Sequence, residues 1–156
     1  VIGEIGEGFP ILEEAIDKGI LAVGAEAVGA MEVLYKSTVE YCKTREQFGQ
    51  PIGKFQVLQH RMVDMFMEHE QSKSLLFMAA IKMSSGDEAE KKRSISALKV
   101  QVGKSGRFVG QNAIQLHGGM GMTDELNIGH YFKRLTAIET LFGNVDHHLK
   151  KYSNVA

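Results

Sequence analysis

A chain of 156 residues with 44% hydrophobic and 24% charged content has the size and balance of one globular domain, which argues against disorder. No apolar run approaches the roughly 20 residues that span a bilayer, and a formal net charge of -1 gives no footprint for nucleic acid or anionic lipid. The lone Cys42 excludes an internal disulfide and fits a reducing, cytoplasmic setting, where a thiol on an apolar helical face is expected to be buried and inert. No signal peptide is visible, and a start at Val1-Ile2-Gly3 reads as a piece of a longer protein.

Pro10 and Pro51 are the only prolines, and each stands just ahead of a long apolar-periodic stretch. Proline is tolerated in a first helical turn and not deeper, so helix is expected almost throughout. After Pro10, the series Leu12, Ile16, Ile20, Val23, Ala27, Met31, Leu34 and Thr38 steps by three or four residues along one helix face. Gly19, Gly24 and Gly29 each weaken that helix by about 1 kcal/mol relative to alanine, a cost that suggests close approach by a neighbour. A second helix after Pro51 is expected to bury Phe55, Leu58, Met62, Met65, His69, Leu76 and Met83, and to end at Ser84-Ser85-Gly86. Asp87 then reads as an N-cap with Glu90 three residues on, a variant capping box. The third helix shows Ile95, Leu98, Val102, Val109, Ala113 and Leu116, and Gly118-Gly119 stops it. Thr123 is placed to cap a fourth helix through Arg134, with Asp124 and Glu125 at its positive end. A last short helix follows Gly143 and ends near Tyr152. With no strand pattern of comparable strength, the expected fold is all-α and without a sheet, an antiparallel up-down four-helix bundle with a short extra C-terminal helix.

Most candidate chemistry has a structural reading. Lys91-Lys92-Arg93, next to Asp87 to Glu90, reads as a mixed, solvated surface. The methionines fall mostly on apolar faces and read as core filler. Only Asp146-His147-His148 resembles a ligand cluster, and adjacent residues diverge on a helix, so no metal site is expected. Gly118, Gly119 and Gly121 do not make a dinucleotide fingerprint, because no strand precedes them.

Two segments stand out. Arg45-Glu46-Gln47-Phe48-Gly49-Gln50-Pro51 interrupts the helical pattern, as does Gln115-Leu116-His117-Gly118-Gly119-Met120-Gly121. An arginine fork can hold a pyrophosphate, Phe48 can stack on a ring, and adjacent glycines let a backbone approach a ligand. In this order, with Ile52, Phe55 and Gln56 after the first, the motifs resemble the C-terminal helical domain of the acyl-CoA dehydrogenases, FAD-dependent enzymes that form a double bond beside a thioester. The resemblance covers essentially the whole chain. It makes residues 1–9, including Gly6-Glu7-Gly8-Phe9, the exit from a missing middle β domain and residues 10–156 the helical bundle.

The resemblance implies FAD as cofactor, though not necessarily in this fragment. Arg45 matches an arginine that reaches the FAD pyrophosphate across a subunit interface, with Gln47, Phe48 and Gln56 as further contacts. Gln115, Leu116, His117, Gly118 and Gly119 match a loop around the adenosine end of a partner subunit's FAD. Asn144 and Asp146 stand where the family usually has Thr and Glu or Gln against FAD. The implied partners are a second copy or a related dehydrogenase subunit, an acyl-CoA substrate and an electron-transfer flavoprotein.

One departure matters most. Phe142 stands where the family usually has its catalytic glutamate, and Gly19 occupies the alternative position for that base. Neither can take an α-proton, so no catalytic residue is assigned, although Glu14 and Asp17 are nearby acids. Ile20 likewise replaces a family arginine near CoA. The run from His130 to Leu135, with Asp146-His147-His148, is similar to the small subunit of pimeloyl-CoA-type dehydrogenases. Two readings stay open: an FAD-binding domain of a dehydrogenase-like subunit, or a helical oligomerisation module that supports a catalytic partner and turns over nothing itself.

Overall fold

The computed structural model describes residues 3–154. Five helices follow in order: α1 (Gly8–Thr44), α2 (Gln56–Met83), α3 (Glu88–His117), α4 (Ile128–Thr140) and α5 (Val145–Asn154). Four of them pack as an all-α bundle, with α5 as the short addition; α3 is its axis, touching each of the other helices. The seam is closed by Met31 and Leu34 of α1, Met65 of α2, Ile95, Leu98 and Val102 of α3, and Ile138 of α4, all nearly inaccessible to water. Each such side chain contributes about 1.5–3 kcal/mol on burial. Among the described residues, no helix is long and apolar enough to cross a membrane.

Helix α1 has 37 residues and is therefore about 55 Å long. It begins at Gly8, two residues ahead of Pro10, so the proline sits inside the first turn, where its missing N–H costs nothing. Residues 1 and 2 of the expected domain exit lie outside the described residues. Leu12, expected in the core, is exposed. Gly24 does mark a close approach: a Cβ there would lie 2.9 Å from Leu98 Cδ2. Gly29 does not, since nothing stands within 4 Å of its Cβ position.

The expectation of no sheet fails at one place. Glu46–Gln47 (β1) pairs antiparallel with Gln50–Pro51 (β2), with Gln47 opposite Gln50. Phe48 and Gly49 form the two-residue turn, with φ of 54° and 77°. Two consecutive positive φ values are those of a type I′ hairpin. A 3-10 turn, Ile52–Lys54, then leads into α2.

Asp87 caps α3 as expected, its Oδ1 accepting from the N–H groups of Ala89 (3.0 Å) and Glu90 (3.1 Å). Glu90 instead pairs with Lys82 across the α2–α3 turn, at 3.1 Å. The expected cap of α4 is displaced. Thr123 closes a 3-10 turn, Gly118–Met122, through its hydroxyl on the Met120 carbonyl, and α4 starts only at Ile128 after Asn127. Asp124 and Glu125 therefore lie ahead of that helix. The Lys91–Arg93 cluster also departs from a solvated surface. Lys91 is buried, Lys92 donates to Glu13 on α1 at 2.9 Å, and the Arg93 guanidinium lies 5.8 Å from the Tyr152 ring centroid. It is the seam joining α1, α3 and α5.

Candidate functional site

The ends of α1 and α3 create the first site. His117, in the last turn of α3, turns its ring inward and stacks on Tyr41 of α1, with centroids 4.4 Å apart. Its Nδ1 lies 2.8 Å from the Ala113 carbonyl, which places the proton on that nitrogen. Burial holds the His117 pKa below the usual imidazole range. Tyr41 in turn donates weakly to the His117 carbonyl at 3.4 Å. The pair fixes the Gly118-Gly119 backbone beside the start of the hairpin.

Arg45 begins that hairpin. Its N–H caps α1 on the Tyr41 carbonyl at 2.8 Å, and its carbonyl accepts from Ile52 N at 2.8 Å. The backbone is thus anchored at both sides while the guanidinium stays exposed and, among the described residues, enters no ion pair. Arg45, Gln47, Gln115, Leu116, His117, Gly118 and Gly119 converge on a single cavity of about 450 Å3, which Tyr41, Ile52 and Met120 also line. Seven expected cofactor residues from two distant segments therefore meet. Gly118 has φ 59°, and neither it nor Gly119 has anything within 4 Å of its Cβ position, so their backbone is open to a ligand.

Phe48 and Gln56 do not line that cavity. The Phe48 ring is 91% exposed at the hairpin tip and touches Phe55 edge-on, at 6.1 Å between centroids. Gln56 is the exposed first residue of α2.

Asn144 and Asp146 lie at a second, polar cavity of about 490 Å3, lined also by Lys104, Arg107 and Glu139. Its lining shares no residue with the first. Asn144 caps α5 there, its Oδ1 accepting from His147 N at 3.0 Å. Lys104 and Arg107 were absent from the sequence expectations; their spacing of three on α3 was the available signal.

Between α4 and α5 sits the turn that carries position 142. Phe142 has φ 58° and Gly143 φ 101°. The turn is gripped from beneath by Lys99, fully buried in α3, whose Nζ donates to the carbonyls of Ile138 (2.9 Å), Glu139 (2.9 Å) and Gly143 (2.8 Å). All three ammonium protons are used, two on carbonyls that the end of α4 leaves open and the third on the turn before α5. His148 holds the other carbonyl, its Nε2 3.0 Å from Phe142 O. Burial pushes the His148 pKa down to about 4. The Phe142 ring lies over α1 at Gly19, where a Cβ would fall 2.9 Å from Phe142 Cζ. Phe142, Ile16, Ile20, Glu13 and Lys151 line a third cavity of about 380 Å3 beside it. Asp17, just inside, is buried with Oδ1 lacking a hydrogen bond, and burial raises its pKa.

The donor set of the first cavity suits an anionic, flat cofactor such as FAD: one unpaired guanidinium, two amides and an open glycine backbone. Such a cavity is open on one side, and a long dinucleotide would extend beyond it.

Comparison with known proteins agrees with this architecture. Residues 6–153 match the family "Acyl-CoA dehydrogenase, C-terminal domain". The short-chain specific acyl-CoA dehydrogenase of Megasphaera elsdenii is 33% identical over 138 residues, which is 85% of this chain and 34% of that protein. The structure of butyryl-CoA dehydrogenase from Megasphaera elsdenii superposes with a TM-score of 0.91 at 29% identity, over 97% of this chain and 39% of that one. The FAD complex of PigA superposes equally well, with a TM-score of 0.91 at 28% identity, over 98% and 39%. The chain thus spans 34–39% of the length of these relatives. Fold, match and the meeting of the two motifs place this chain in the acyl-CoA dehydrogenase family, as its C-terminal helical domain.

Proposed function

We propose that this chain is the FAD-holding, subunit-joining domain of an acyl-CoA dehydrogenase-like flavoprotein, and that its own site lacks the base for α-proton removal. For α,β-dehydrogenation, bound FAD would supply the acceptor for the β-hydride, and a protein base would have to take the α-proton. Arg45, Gln47, Gln115 and the Gly118-Gly119 backbone would hold the pyrophosphate and adenosine side of a neighbour's cofactor. Asn144 and Asp146, at a separate cavity, would touch the chain's own. Two half-sites in one chain support a role in which each flavin is completed by two subunits.

The observation that carries the reading is the contact between Phe142 and Gly19. The two positions at which family members place their base are one spot in space, and here it holds a benzyl group. General acid–base catalysis contributes about 10²–10⁴-fold. Turnover would therefore require a base-bearing related subunit. The resemblance of His130 to Leu135 to pimeloyl-CoA-type small subunits supports such a heteromer. An electron-transfer flavoprotein would be the electron acceptor.

The same contact favours a second reading, a module that assembles with a catalytic partner and turns over nothing. Expressing the gene that encodes this chain, alone and with an adjacent dehydrogenase gene, separates the two by flavin absorbance and its bleaching by acyl-CoA. Retained flavin, bleached only when the partner is present, supports the first reading. A protein that never retains flavin supports the second. Rapid bleaching in the protein alone overturns the missing base.

A further inference from the structure

A fourth cavity, of about 310 Å3, opens where the hairpin connects α1 to α2. Val39 and Cys42 of α1 and Met62 of α2 form its wall, and Pro51 and Gly53 line it from the hairpin side. The 3-10 turn rests directly on α1 here, since a Cβ at Gly53 would lie 2.9 Å from the Cys42 carbonyl oxygen. This wall offers a ligand few polar partners. The Gly53 carbonyl already accepts from Gln59 Nε2 at 2.9 Å, and burial raises the Cys42 thiol pKa, which keeps it neutral. The charges at the cavity are both positive. Lys54 is exposed at the end of the turn and, among the described residues, enters no ion pair. Lys43 holds Glu40 at 2.5 Å, with side chains 61% and 68% exposed, and so open a pair exchanges readily for another anion. Among the described residues, no carboxylate lines the cavity.

We propose that this cavity binds a short alkyl carboxylate, its chain against Val39, Met62 and Pro51 and its head at the Lys54 and Lys43 ammonium groups. An apolar wall with a few convergent polar groups is the usual plan of a small-ligand site, and the sign of those groups selects the class. An alkylammonium ion meets two like charges, a repulsion that grows as the wall excludes water. A polar neutral molecule gives up its water and finds few partners in return. An anion with an alkyl tail satisfies both the wall and the lysines. Occupancy also has a mechanical consequence. Pro51 belongs to β2, and the next residue, Ile52, donates its N–H to the Arg45 carbonyl at 2.8 Å. A chain packed against Pro51 therefore braces the hairpin that begins at Arg45.

None of these residues lines the three cavities described above, and the inference does not rest on the flavin reading. Met62 is its reporter. In NMR of the chain as it is, with isotope-labelled methionine methyl groups, hexanoate moves the Met62 resonance saturably, whereas exposed Met67, Met78 and Met122 do not follow it. Butanoate binds ~15-fold more weakly than hexanoate, because each buried methylene is worth about a factor of four. Hexylammonium, of the same length and opposite charge, does not saturate at the same concentrations. Lys54→Glu changes an exposed side chain and leaves the helical circular dichroism intact, yet weakens hexanoate by at least ~10-fold. Lys54→Met gives a smaller loss, and Lys54→Arg keeps the affinity. Arg45→Ala leaves the titration unchanged, which separates this cavity from the flavin site. Hexylammonium that binds as well as hexanoate, a Lys54→Glu chain with undiminished affinity, equal movement of all the methionine methyls, or a Met62 resonance that hexanoate never moves overturns the proposal.

Discussion

Position 142 shows how one side chain can define what a site does. The Phe142 backbone is in the left-handed region, at φ 58°, which costs a non-glycine residue about 1–3 kcal/mol unless its surroundings enforce it. Lys99 and His148 enforce it by taking the carbonyls of the turn, so a different side chain placed there inherits the position over Gly19. The ring is 43% exposed, and replacing it removes little buried area. Phe142→Glu is therefore expected to change stability by less than about 1 kcal/mol. In the FAD-loaded full-length protein it should raise acyl-CoA-dependent flavin bleaching from near zero, read by stopped-flow absorbance; unchanged bleaching would mean that the carboxylate does not reach the α-proton. Lys99 has the opposite profile. Lys99→Met removes three hydrogen bonds at once and leaves buried carbonyls unmet, at a cost of about 1–3 kcal/mol for each such group. A loss above about 3 kcal/mol in urea denaturation is the expected result.

Among the elements, the short hairpin and the long helices differ in how far the sequence revealed them. The helical periods were legible because burial repeats every three or four residues, and Ile95, Leu98, Val102, Val109, Ala113 and Leu116 all reach the core. The hairpin was not, because β1 and β2 have two residues each and Phe-Gly is not among the usual turn pairs. What brings Arg45 beside Gly118 was equally hidden: the Tyr41–His117 stack joins residues far apart in the chain, and no local pattern encodes it. The grip of Lys99 on α4 escaped for the same reason, since a lysine in a helix reads as surface until its neighbours are known. The cofactor segments themselves were legible as interruptions of the helical period, and seven of their residues share a cavity. The hairpin tip yields a prediction of its own. Asparagine tolerates positive φ far better than phenylalanine, so Phe48→Asn should stabilise the chain by about 0.5–1 kcal/mol in urea titration. An unstable Phe48→Asn chain would show that the exposed ring contributes more through Phe55 than its strain costs.

At the scale of the molecule, stability should depend on acidity through the packing of α5 against α3 and the turn that precedes it. His148 is buried at 1% exposure, and its pKa falls from 6.5 to about 4. A histidine depressed in the native state binds its proton more readily when unfolded. Its contribution is thus fully present above pH 6.5 and is lost as the pH falls through 6.5 toward about 4. At about 1.4 kcal/mol per pH unit the loss amounts to roughly 3 kcal/mol at most. Asp17 on the facing side of α1 acts in the other direction. Burial raises its pKa, so the native state holds that proton more tightly, and its effect favours folding as the pH falls. Lys151, 3.9 Å from Asp17 Oδ1 and 3.6 Å from Glu13 Oε1, offsets part of the Asp17 shift. Because the two buried groups oppose each other, the net curve understates each, and the test must be a difference. Urea denaturation of the native chain and of His148→Gln, from neutral pH down to about pH 4, isolates the histidine. Glutamine can still donate to the Phe142 carbonyl but does not titrate. The expected outcome is that the native chain loses stability relative to His148→Gln below pH 6.5, with a histidine titrating near pH 4 by NMR. Parallel curves would mean that α5 opens to admit the proton without cost, and that His148 does not hold the turn beneath Phe142.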